Sequence, residues 1–125
     1  LSIICRAKNG NGQIPVMTQD HPFGLSSTTL DKLNSIFAQH PVIDSVVIYG
    51  SRAKGNYRVG SDIDLTIKGD EISFAEFMRI ENQIDDLMLP YTVDLSQYHL
   101  LENADLVAHI DRVGVEIYKI NDESI

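Results

Sequence analysis

What the chain has too little of narrows it first. A single cysteine, Cys5, leaves no partner for an internal disulfide. No uninterrupted apolar run approaches the ~20 residues that a membrane-spanning helix needs. The opening stretch Leu1 to Cys5 is too short for a signal-peptide core and has no charged region ahead of it. The default expectation is a cytoplasmic protein. Positive charge is also scarce, with ten Lys and Arg against eighteen Asp and Glu and a formal charge of −8. Affinity for a nucleic-acid backbone comes mostly from cations neutralising phosphates, so direct DNA binding is not expected. The histidines His21, His40, His99 and His109 lack ligand spacing for zinc and read as ordinary surface or helix residues. Repeats, low-complexity tracts and a dividing linker are missing too. What is present is an apolar content of 43% over 125 residues, enough for one domain with a real core.

Residues 1 to 24 show no hydrophobic period and carry Asn9-Gly10-Asn11-Gly12, Pro15 and Pro22, all turn or breaker signals. Met17 is the first methionine and the expected natural start. The residues upstream of it are an artificial remnant, an extended reading frame or a genuine arm. The domain is placed over residues 23–120, after an irregular segment 1–22 and before a polar tail 121–125.

Within that domain the pattern alternates. Ser26, Ser27 and Thr28 are N-cap candidates for a helix to Gln39, with Leu30, Leu33, Ile36 and Phe37 on one face and Pro41 ending it. A strand over Ser45–Tyr49 follows, then a turn from Gly50 through Ala53 and a glycine-bracketed loop containing Tyr57 and Arg58. Tyr49 reads as core, and Tyr57 as a shield over the turn. A second strand spans Ser61–Lys68. Ser73 with Glu76 forms a capping box for a helix from Phe74 to Leu89, stopped by Pro90. A third strand covers Tyr91–Leu95. The last helix is capped by Asn103 and closed by Gly114, with Leu106, Val107, Ile110 and Val113 as its inner stripe, before a fourth strand over Val115–Tyr118. This order predicts an α/β (α+β) domain, a mixed four-stranded sheet with helices packed against it.

The chain is organised around Val46 to Lys68. In a strand, residues two apart share a face, so Asp62 and Asp64 point one way while Ile63, Leu65 and Ile67 pack the other. Two such carboxylates repel unless a cation lies between them, and Mg²⁺ is the natural guest. The helix between the second and third strands is long enough to return the chain, so the third strand should run parallel to the second. Asp94 is then at the height of Asp64 and on the same face. Three carboxylates there would suit two Mg²⁺ ions and phosphoryl or nucleotidyl transfer.

The turn after the first strand supplies the phosphate end. Gly50 lets an anion approach the backbone, and Ser51 opens a helical turn with free N–H groups and adds a hydroxyl. Ser61 is placed at the rim. Arg52, Lys54, Arg58 and Lys68 gather four of the ten cations beside the carboxylates, a local potential suited to a nucleoside triphosphate. Each feature alone also fits a plain role: Asp62 as a strand-start cap, Asp94 as an edge-strand charge, the cations as a solvated turn.

Together, Gly50-Ser51, ten residues, Asp62, one residue, Asp64 and a later lone Asp94 resemble the pattern of the polymerase-beta-like nucleotidyltransferase superfamily. The wording Gly-Ser-Arg-Ala-Lys-Gly followed by Gly-Ser-Asp-Ile-Asp-Leu is similar to its minimal nucleotidyltransferase branch, home of the antitoxins of HEPN/minimal-nucleotidyltransferase pairs. The resemblance runs from Phe23 to Tyr118. It implies that Gly50 and Ser51 form the phosphate-binding turn, Asp62 and Asp64 the metal-bridging pair, and Asp94 the third metal carboxylate and general base. It also implies AMP from ATP, or another nucleotide, as the transferred group, and as acceptor a tyrosine of a small helical HEPN-type toxin that assembles with the chain. A non-catalytic antitoxin acting by occlusion is the alternative, and a small-molecule transferase of the aminoglycoside type is third.

Overall fold

The computed structural model describes residues 22–58 and 60–120. The irregular segment expected before residue 22 and the polar tail over 121–125 lie outside the described residues. Helix α1 (Ser27–Phe37) starts where the Ser26 hydroxyl accepts from the Thr29 N–H, at 3.1 Å. Strand β1 (Ser45–Tyr49) leads directly into the short helix α2 (Gly50–Lys54), and β2 (Ile63–Lys68) follows. Helix α3 (Phe74–Asp85), β3 (Val93–Gln97), α4 (Ala104–Val113) and β4 (Val115–Lys119) complete the domain, with single 3-10 turns at Pro22–Gly24 and Tyr98–Leu100.

The sheet is mixed and four-stranded, in the order β3-β2-β1-β4. β1 runs antiparallel to β2 and to β4, and β2 runs parallel to β3. All five residues of β1 are buried, as its unbroken apolar run requires of a central strand. One face of the sheet presents Val46, Ile48, Ile63, Leu65, Ile67 and Leu95 to Leu33, Ile36 and Phe37 of α1 and Ile80 and Ile84 of α3. The other face carries a smaller cluster, Val47 and Tyr49 under Ile110 of α4. Each fully buried aliphatic side chain contributes about 1.5–3 kcal/mol of transfer free energy. The larger cluster therefore holds the fold, and the second face can remain partly polar.

Several boundaries differ from the sequence expectation. β2 and β3 both begin two residues later than expected, at Ile63 and Val93. The two shifts are equal, so the relative height of their carboxylates is unchanged. Helix α3 ends at Asp85 because the chain turns through Met88, whose φ is +55°. The capping box is only half made: the Ser73 hydroxyl accepts from the Glu76 N–H, but the Glu76 carboxylate goes to His40 and Arg79. Gly114 has a φ of −65° and is not a left-handed cap. A Cβ there would lie 2.6 Å from Val47 Cγ1, so glycine is needed for close packing of α4 on β1.

Candidate active site

The open part of the second sheet face lies over β2 and β3. Parallel pairing sets Asp64 opposite Asp94 and Thr66 opposite Ser96. Neighbouring strands run about 4.8 Å apart, so the two carboxylates stand side by side on one face. Asp62 is exposed and sits one residue before β2, at the rim. Burial pushes the Asp64 carboxyl above its usual range, and the charges of Asp94 and Asp62 push it further, against a smaller opposing pull from His109. Such mutual repulsion marks a place that favours a cation. Among the described residues no three His, Cys, Asp or Glu side chains close up as a ready metal cage. The donors on offer are all carboxylate oxygens, which fits Mg²⁺, an ion that keeps waters and substrate phosphates as its remaining ligands.

The turn between β1 and α2 abuts these carboxylates. Gly50 has a φ of +77°, and a Cβ on it would collide with Asp64 Oδ2. Both facts demand glycine: the backbone is left-handed and the carboxylate is seated against it. The Gly50 N–H donates to His109 Nε2 at 3.2 Å. His109 also stands edge-on to the Tyr49 ring, with centroids 6.2 Å apart. Tyr49 is buried, which raises its phenol pKa; the Ser96 side chain pulls it the other way, and Asp64 and Asp94 add to the rise. The Ser96 hydroxyl donates to Thr66 Oγ1 at 3.0 Å, a hydroxyl pair on the same face as the carboxylates.

The expected cations divide into two kinds. Lys54 and Arg58 are exposed. Arg52 is only 3% exposed. Its Nε and Nη2 donate to the Ser61 carbonyl at 3.2 and 2.9 Å, and its Nη1 donates to the Phe23 carbonyl at 2.8 Å. Tyr57 and Tyr91 stack on its guanidinium, with centroids at 5.2 and 4.9 Å. Arg52, expected as a phosphate contact, is placed as a strut that fastens the loop after α2 to the segment before α1. Ser51 is half-buried at the head of α2, and the Ser61 hydroxyl accepts from the Arg58 N–H at 2.8 Å.

Two of the histidines expected in surface or helix roles make specific contacts. His40 is buried, with Nδ1 against the Glu76 carboxylate and Nε2 2.6 Å from Gln83 Oε1. His109 belongs to the site. The signal for it was present, since residue 109 falls within the helical stripe of Leu106, Ile110 and Val113 and so faces the sheet.

Comparison with known proteins bears on the family and the fold. The model of the family described as polymerase beta, nucleotidyltransferase, matches residues 31–123. No curated protein matches the chain. Among solved structures, a toxin-antitoxin with AMP-PNP superposes with a TM-score of 0.59 at 16% identity, covering 75% of this chain and 76% of that one. The toxin-antitoxin MntA-HepT gives 0.56 at 14% identity over 75% and 73%. A complex of the tri-AMPylated Shewanella oneidensis HEPN toxin with an MNT antitoxin gives 0.55 at 14% identity over 74% and 71%. At such identities the likeness is one of fold. No helix among the described residues is long and apolar enough to cross a membrane.

Proposed function

The chain belongs to the polymerase beta nucleotidyltransferase family, and on that premise we propose that it transfers AMP from ATP to a tyrosine hydroxyl of a helical HEPN-type toxin, acting as its antitoxin. The observation that carries this reading is the register that sets Asp64 beside Asp94, with Gly50 packed against Asp64. Asp62, Asp64 and Asp94 would hold two Mg²⁺ ions. Bound divalent ions supply charge neutralisation at the α-phosphate and at the departing pyrophosphate.

The chain's own groups do the rest. The Gly50-Ser51 turn receives the triphosphate, and Lys54 and Arg58, both exposed, are the cations available to neutralise charge that builds up on the leaving group. Ser61 completes the rim. Asp94 takes the proton of the attacking hydroxyl as the new oxygen–phosphorus bond forms and the bond to pyrophosphate breaks. Tyr49, Thr66 and Ser96 stiffen the floor on which Asp64 and Asp94 stand.

Asp62→Asn and Asp64→Asn should each lower transfer of label from α-labelled ATP to the purified partner by at least ~10²-fold. Labelling at the wild-type rate would end the catalytic reading. Occlusion without chemistry is favoured by the charge of −8, which suits a basic partner. A variant with all three aspartates replaced separates the two. Full neutralisation of the toxin at equal stoichiometry points to occlusion, and loss of neutralisation with binding retained points to transfer.

A further inference from the structure

We propose that the groove between α3 and the free edge of β3 is a docking slot for an extended basic segment of a partner protein, which adds to β3 as a fifth strand. The groove is a cavity of about 520 Å³ on the face of the sheet opposite Asp64 and Asp94. Its floor is apolar, with Ile84 and Leu89 on one side and Leu95 on the other, and its charged lining is of one sign, Glu81 and Asp85. Any occupant must satisfy both features. Apolar side chains must enter the floor, and cations must meet the carboxylate rim.

The edge itself selects a strand over a helix. β3 pairs only with β2 among the described residues, in an unbroken register from Ile63↔Val93 to Ile67↔Gln97. Its outer row of N–H and C=O groups is therefore a regular template. The opposite edge is treated differently: the β1–β4 pairing slips between Val46 and Val47, and β4 ends in Lys119. Bulges and lysines are how sheets discourage strand addition, and β3 has neither. An added strand would satisfy that edge and drop alternate side chains into the groove below α3. A helix lying there would leave the edge unpaired.

The mouth of the groove supports the assignment. Met88 is 84% exposed and holds a left-handed backbone that a glycine would adopt more easily. A flexible, polarisable side chain kept at a strained position beside an apolar groove fits a contact surface. A second copy of this chain is a poor occupant, because its edge would bring the same carboxylates to the same place.

The inference rests on the groove and the edge and not on nucleotidyl transfer. Its test uses the full chain, isotope-labelled, titrated with an acetylated and amidated peptide Lys-Thr-Val-Thr-Ile-Thr-Lys, whose lysines, valine and isoleucine share the one strand face that meets the groove. Amide shifts over residues 81–89 and 93–97 are expected. Affinity should fall at least about tenfold when alternate peptide nitrogens are methylated, and also on Glu81→Lys with Asp85→Lys. The methylated peptide leaves the protein unaltered, so that arm stands even if the double variant misfolds. The proposal is overturned by shifts confined to the Asp62, Asp64 and Asp94 face. Equal binding of Thr-Lys-Val-Thr-Ile-Lys-Thr, which has the same composition but carries its lysines on the other strand face, would also overturn it, as would methylation without effect. Dimerisation of the free chain through β3 would do the same.

Discussion

On β2, Ile63, Leu65 and Ile67 are fully buried beneath α1 and α3, while their neighbours Asp64, Thr66 and Lys68 face the other way. One face of the sheet is closed by two helices. On the other, α4 packs over Val47 and Tyr49 of β1, leaving Asp64 half-buried and Asp94 exposed. The alternation of a single strand thus separates what stabilises the domain from what gives it chemistry. Burial of apolar area on one face offsets the cost of holding like charges together on the other. Substitutions one residue apart should consequently have unrelated effects.

The largest difference is expected between Leu65 and Asp64. Leu65→Ala removes a fully buried side chain from the centre of the larger cluster and should cost roughly 2–5 kcal/mol in urea unfolding. Asp64→Asn, measured without divalent ions, should cost nothing or stabilise. Burial and the charges of Asp94 and Asp62 oppose the ionised carboxyl, and the amide relieves all three. Similar losses for the two variants would show that the faces are not independent.

Titration sharpens the contrast through opposite signs. The Asp64 pKa is raised in the folded protein, so its contribution to stability is present below its unfolded pKa and is lost as pH rises through the folded value. Glu76 lies on the helical side, and its pKa is lowered, first by the hydrogen bond with His40. Its contribution is present above the unfolded pKa and is lost as pH falls through the folded value. Stability followed from roughly pH 7 down to 3 in metal-free buffer should show this. The advantage of Asp64→Asn over wild type should shrink as pH falls. The deficit of Glu76→Gln should also shrink, because wild type loses its ion pair. A deficit of Glu76→Gln that grows on acidification would refute the assigned pairing.

Much of this division could be read from the residues. The apolar alternation of β2 and the β-branched run of β1 specify their faces regardless of where strands begin, so a two-residue error at both β2 and β3 left Asp64 against Asp94. The glycine at residue 50 was legible as a turn, but its collision with Asp64 is a tertiary fact. The partners of Arg52 were not legible, because sequence reveals charge and not the carbonyls that a guanidinium finds. Ser61 and Phe23 are nine and twenty-nine residues away from it. The His40 contacts to Glu76 and Gln83 span thirty-six and forty-three residues and carry no local pattern. Short-range periodicity determines faces, whereas long-range polar pairing depends on packing that periodicity does not encode.

The smallest expected effect tests whether the helical side is devoted to stability throughout. Met88 follows α3, its N–H donating to the Asp85 carbonyl at 3.1 Å, and its φ of +55° is the conformation that glycine tolerates best. Its side chain buries little, so Met88→Gly sacrifices almost no packing. Relief of the left-handed strain should exceed the added chain entropy and stabilise the domain by roughly 0.5–1 kcal/mol, seen as a higher urea midpoint. If the side chain is retained for contact at the groove, the same variant should bind the groove peptide more weakly while being more stable. A variant that is less stable would mean that Met88 packs against the domain in solution, and the helical face would then be built for stability to its margin.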